Sequence, residues 1–104
     1  MIFNRDMQLG YEIAKEELMT VQETLEARGE HYGSYDTNAA IAQAIKRAMR
    51  DSPNWDALPA DMKESLEMTA TKIGRILNGN PYLFDSWHDI QGYIGLVAGR
   101  LEKE

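Results

Sequence analysis

The tetrapeptide Asn78-Gly79-Asn80-Pro81 narrows the possible folds of this chain more than any other feature. A glycine free to turn and a proline that cannot carry a helix forward make a strong stop. On either side, apolar residues recur at helical spacing. Upstream they are Met62, Leu66, Thr69, Ile73 and Ile76 or Leu77; downstream they are Ile90, Ile94 (or Tyr93), Val97 and Leu101. Two amphipathic helices joined by so short a break fold back on one another. The pattern predicts a third helix over 60–78, opened by Pro59, and a fourth over 86–102, beginning at Asp85 or Ser86.

The same periodicity continues towards the N-terminus. Ala14, Leu18, Val21 and Leu25 follow spacings of four, three and four, predicting a first helix over 6–28 that Gly29 stops. Residues 29–36 read as a loop. Asp36 or Thr37 then caps a second helix over 37–50, with Ile41, Ala44, Ile45, Ala48 and Met49 as its stripe. Residues 51–59 form a loop pinned by Trp55 and Leu58, because Pro53 and Pro59 discourage a helix through them. No alternating β pattern is sustained between turn signals. The expectation is an all-α, four-helix bundle-like single domain spanning 1–104.

Gly92, Gly95 and Gly99 fall inside the fourth helix, where each costs about 0.5–1 kcal/mol relative to alanine. Close approach of backbones would recover that loss. With Ala70 and Gly74 on the third helix, the expected use is a tight crossing of helices three and four; a seam between two copies of the chain is the alternative.

Composition excludes several function classes. Eleven Lys and Arg against 17 Asp and Glu give a net charge of −6, unsuited to phosphate neutralisation along a nucleic-acid polymer. Without cysteine there is no disulfide framework, thiolate zinc site or cysteine nucleophile. No charged leader with an apolar run opens the sequence, and nowhere do 18 apolar residues follow one another, so a soluble, cytoplasmic protein with no membrane partner is expected.

The break also gathers chemistry. Lys72 and Arg75 share a face near the end of helix three, and Asp85 and Asp89 share one at the start of helix four, with Trp87 and Tyr93 beside them. Lysine and arginine beside a helix N-terminus bind phosphate oxygens well, and paired carboxylates can hold Mg²⁺ against a phosphate. The plainer reading is a salt bridge between these groups, with Asp85, Ser86 and Asp89 serving the positive end of a helix dipole as a capping box does. Arg28, His31, Tyr32 and Tyr35 flank glycines in the first loop, a mixture able to stack on a base and touch phosphate or simply to plug the fold. Glu12, Glu16, Glu64 and Glu67, and the basic Lys46, Arg47 and Arg50, read as solvated faces. Ser86, His88 and Asp89 are too crowded for a catalytic triad, and no glycine-rich phosphate loop is present.

Three motifs carry a resemblance: Arg28-Gly29-Glu30-His31-Tyr32-Gly33 (R-G-x-x-Y-G), Lys72-Ile73-Gly74-Arg75 (K-x-x-R) and Asp85 to Tyr93 (D-S-x-x-D-x-x-G-Y). Over about 28–101 the chain resembles a family of small, phage-encoded helical proteins related in pattern to nucleotide-modification-associated domains. More distantly it is similar to MazG-like all-α nucleotide pyrophosphohydrolases, whose metal site uses E-E-x-x-E and E-x-x-D helices. Here Thr20 stands where the third Glu after Glu16-Glu17 belongs, and Asp85 to Asp89 is spaced by four. The resemblance implies a nucleotide-binding helical protein of the host cytoplasm, with a phage anti-defence sponge for a host nucleotide signal as one use of such a module; the glycine stripe and the small core add the expectation of a dimer or higher oligomer. Its ligand residues would be Arg28, His31, Tyr32, Lys72, Arg75, Asp85, Trp87, Asp89 and Tyr93. No resident cofactor is expected on that reading. The alternatives are a Mg²⁺-dependent pyrophosphohydrolase, with Asp85 and Asp89 on the metal, and a protein-interaction module without a small ligand.

Overall fold

A computed structural model describes residues 20–104, and these form four α-helices and no strand among the described residues. The expected start of the first helix near Asp6, the stripe residues Ala14 and Leu18, and the carboxylates Glu12 and Glu16 lie outside them. The elements are α1 (Val21–Tyr32), α2 (Tyr35–Arg50), a single 3₁₀ turn (Trp55–Ala57), α3 (Ala60–Asn78) and α4 (Phe84–Lys103). The all-α bundle-like architecture read from the periodicity is the one that forms.

Helix α1 departs from the sequence reading at both ends. Thr20 is extended, and its hydroxyl accepts the Glu23 backbone N–H at 3.1 Å, the geometry of an N-cap, so no helix runs through it from 6 to 28. Gly29 does not stop the helix either. A Cβ there would meet open space, and the chain stays helical to Tyr32. The stop is Gly33, whose φ of 76° is left-handed and whose N–H bonds back to Gly29 O at 2.9 Å. Val21 and Leu25, expected to face a core, are 77% and 56% exposed.

Ser34, ahead of the expected Asp36 or Thr37, caps α2 by accepting the Thr37 N–H at 3.3 Å. The inward stripe of α2 is rotated from the expected one: Ala42 is buried, Asn38, Ile41, Ile45 and Met49 are half-buried, and Ala44 and Ala48 are exposed. The rotation follows from Gly74 on α3. A Cβ at Gly74 would lie 2.8 Å from Asn38 Oδ1 and 3.5 Å from Ala42 Cβ, so its hydrogen lets α2 press onto α3. Gly74 therefore serves the α2–α3 crossing, not the expected α3–α4 crossing. Gly92, Gly95 and Gly99 have open space where a Cβ would stand and pack on nothing in α3. In the 51–59 loop Trp55 and Leu58 are half-buried as expected, with Lys63 Nζ 6.0 Å from the Trp55 ring centre.

Helix α3 has the expected bounds and lies in the middle, with α2 and α4 packed on it. Ala70, Gly74, Ser65 and Ile76 are its buried residues, and Leu77 is exposed, which resolves the choice between Ile76 and Leu77. Arg50, grouped with Lys46 and Arg47 as a solvated patch, reaches Glu67 of α3 at 3.6 Å. Helix α4 begins at Phe84, one or two residues early, with Leu83 as a cap that supplies no side-chain bond. Ser86 is buried within the first turn, so the capping-box reading of Ser86 and Asp89 fails. Tyr93 is half-buried, whereas Ile94 is exposed.

The α3–α4 hairpin is clamped at both ends. Lys72 pairs with Asp89 at 3.0 Å and Asp61 pairs with Arg100, partners that are eleven residues apart along each helix. Eleven residues is about three turns, so both pairs sit on one face in one antiparallel register. Arg100 bonds Asp61 through Nε and through Nη2, the latter at 3.0 Å, and Glu104 through Nη1 at 2.8 Å. The hydrogen bond from Arg100 holds the Asp61 carboxyl below the usual carboxylate range, and raises the guanidinium in turn.

A depressed acid contributes stability above its unfolded value of about 3.9 and loses it as pH falls through the lower folded value. Asp61→Asn should therefore lower the melting temperature relative to wild type at pH 6–7, with the gap narrowing below about pH 4 and closing in stronger acid. Thermal denaturation followed by circular dichroism across pH checks this; a gap constant with pH would contradict it.

Candidate functional site

The site is built where the end of α1 meets the end of α3. Asn78, the last residue of α3, donates both amide hydrogens across the chain, to Tyr32 O at 2.8 Å and Ser34 O at 2.9 Å. Asn80 N–H donates to His31 O at 2.8 Å. Gly79 sits so close beneath that a Cβ would fall on the His31 carbonyl oxygen and the Tyr32 backbone. Asn78 and Asn80 thus hold the α1–α2 corner by three backbone carbonyls, of which those of His31 and Tyr32 lie in the last turn of α1, where helical donors run out.

This attachment sets Tyr32 under Arg75. The guanidinium carbon lies 4.6 Å from the Tyr32 ring centre, a close cation–π arrangement. His31 tilts against Tyr32 at 6.2 Å and 56°. Arg28 precedes Tyr32 by one turn on the same face of α1. Lys72, one turn before Arg75, is committed to Asp89, and both side chains of that pair are largely buried. The salt bridge expected between helices three and four therefore forms, but with one cation. Arg75 goes to the ring, and among the described residues its half-buried guanidinium makes no hydrogen bond or ion pair.

Two of the expected residues do not join. Asp85 is exposed and pairs with neither Lys72 nor Arg75. Trp87 is two positions from Asp89, about 200° around the helix, and so points away from the cations. It is 55% exposed and donates its indole N–H to Pro81 O at 2.7 Å, closing the α3–α4 turn. Tyr93 follows Asp89 by one turn and is half-buried. Among the described residues no three His, Asp or Glu side chains converge as a metal-binding group, and Asp89 is occupied by an ammonium.

Sequence reasoning did not single out Asn78. Its signal was available in the Asn-Gly-Asn run, which reads as turn chemistry but also supplies a side-chain amide with two donors. At the far end of the hairpin, Met62, Leu66, Ile94, Val97 and Leu101 line an open apolar groove of about 320 Å³. It lies away from the charged cluster.

The arrangement suits an anion with a planar group. Arg75 keeps its N–H donors while its cation sits over the ring face, and the exposed His31 adds a second stacking surface. No protein-family model, curated protein or solved structure matches the chain.

Because Gly79 approaches the α1 backbone so closely, Gly79→Ala should destabilise the protein by about 1–3 kcal/mol, the usual cost of overpacking. Gly29→Ala, inside a helix with open space around it, should instead stabilise it by about 0.5–1 kcal/mol. Urea unfolding of the two variants checks the contrast.

Proposed function

We propose that this protein binds a nucleotide-like anion at the α1–α3 corner, with Arg75 contacting phosphate and Tyr32 or His31 stacking beside the base. The observation that carries this reading is the Arg75 guanidinium, its carbon 4.6 Å from the Tyr32 ring centre and its donors uncommitted among the described residues. A bidentate phosphate needs such a fork, and the ring face prevents Arg75 from collapsing onto a carboxylate. Lys72 is a second cation one turn away, available when ligand phosphate competes with Asp89.

Sequestration fits the site better than hydrolysis. A Mg²⁺-dependent pyrophosphohydrolase would take Asp85 and Asp89 as ligands, yet Asp89 is paired with Lys72 and Asp85 stands apart. The resemblance to small phage-encoded helical proteins then gives the reading its biological form: a sponge that holds a host nucleotide immune signal intact, acting in the host cytoplasm as a dimer or higher oligomer. Among the described residues no helix is long and apolar enough to cross a membrane.

Thermal shift and calorimetry against mononucleotides, cyclic dinucleotides and ADP-ribose derivatives test the reading directly. Arg75→Ala should weaken the best ligand by about 1.5–3 kcal/mol, the scale of a charge-assisted hydrogen bond, with the helical signal unchanged. Asp89→Asn frees the Lys72 ammonium and should bind an anion as well or better, at some cost in unliganded stability. Loss of a Mg²⁺-dependent turnover in Asp89→Asn would favour the hydrolase instead. Absence of binding by wild type, with both variants less stable, would leave the cluster a structural one.

A further inference from the structure

Helix α4 is an edge helix. It packs on α3 and makes no comparable contact with α1 or α2, which leaves a long side of it uncovered among the described residues. On that side Asp85, Gly92, Leu96, Gly99 and Lys103 follow spacings of seven, four, three and four, a single helical stripe. Leu96 is 73% exposed, and Gly92 and Gly99 have open space where a Cβ would stand. Asp85 and Lys103 have no ion pair among the described residues.

We propose that this stripe pairs with the same stripe of a second copy of the chain, α4 antiparallel to α4, about a two-fold axis level with Ile94. The order of residues along the stripe carries the inference, because four of its five members are complementary to their own reverse, Gly99 alone falling level with a position off the stripe. Ninety-four lies midway between 85 and 103 and midway between 92 and 96. In that register Asp85 of each copy faces Lys103 of the other, and each Leu96 sits over the opposite Gly92, a knob above a gap. An isologous interface requires this reciprocity, whereas an unrelated partner gives no reason for it. The described residues also supply a motive: Ala42, Ala70 and Ile76 are the apolar residues among them that are buried, so much apolar surface remains to be covered. The proposal rests on the self-association read above and gives it a seam and a register; it does not depend on the nucleotide.

The full 104-residue chain tests it by light scattering over a concentration series at low salt. Wild type should dimerise. Asp85→Lys and Lys103→Asp alone should each weaken the dimer roughly tenfold by placing like charges opposite one another twice, and the double variant should recover it. Leu96→Glu, at an exposed position, should give monomer with an unchanged circular dichroism spectrum. Because the chain has no cysteine, the double variant D85C/K103C should cross-link into a covalent dimer on mild oxidation. A wild type that stays monomeric at high micromolar concentration would overturn both self-association and the seam. A dimer indifferent to the charge exchange, to Leu96→Glu and to the cysteine pair would keep self-association and overturn this seam.

Discussion

The Asn78 side chain is the contact on which the rest of the arrangement depends. Its amide bridges Tyr32 O and Ser34 O, carbonyls on either side of the left-handed Gly33, and so fixes the corner between α1 and α2 to the end of α3. None of the residues of α1 is buried, so polar contacts at this corner, the bridge together with Asn80 N–H to His31 O, carry attachment that apolar packing does not. The bridge costs little in side-chain order, because a short planar amide at a helix terminus has few rotamers to lose. It leaves Tyr32 directly below Arg75, so a backbone constraint becomes a binding geometry.

Two cations one turn apart on α3 meet different fates, and the difference decides what the site can do. Lys72 is shielded with Asp89, and a point charge so placed is balanced before any ligand arrives. Arg75 has a ring for a neighbour, and a ring face attracts the cation without using its hydrogen-bond donors. An arriving phosphate therefore meets Arg75 without breaking an ion pair, while recruiting Lys72 requires that Asp89 be displaced. In the proposed reading the pair is a second, costlier foothold; in the structure it is one clamp of the hairpin, matched by Asp61 and Arg100 three turns away.

The bounds of α3, the stop at Asn78 to Pro81 and the meeting of Lys72 with Asp89 were legible because each follows from local chemistry: proline geometry, helical spacing and opposite charge at helix ends. What was not legible depended on contacts between distant segments. Gly29 and Gly33 are equal as candidate stops until Asn78 supplies donors to the carbonyls around Gly33. The phase of the α2 stripe was ambiguous while alanines stood on both sides, and Gly74 settles it by admitting Ala42 and Asn38 in place of Ala44 and Ala48. Trp87 was grouped with the cations by nearness in sequence, although two positions on a helix point to nearly opposite sides. Arg75 beneath no carboxylate, but over a tyrosine 43 positions earlier in the chain, is a tertiary fact that no spacing rule contains.

The proposed binding of an anion by a chain of net charge −6 needs a physical account, and the layout of charge along the hairpin offers one. Asp61, paired to Arg100, lies about three turns from Lys72, some 16 Å along the axis at 5.4 Å per turn. Charges at the surface are screened over about 8 Å in physiological salt, so the acid end of α3 contributes little repulsion at Arg75. Asp89, the carboxylate that reaches α3 near Arg75, is paired with Lys72. Arg75 itself makes no ion pair among the described residues, within a protein of net charge −6. A net negative charge disfavours a nucleic-acid polymer, which must lie along the whole surface, more than a compact anion that samples only the corner. On the proposed reading, an acidic surface that disfavours polymeric phosphate is compatible with Arg75 meeting a small one.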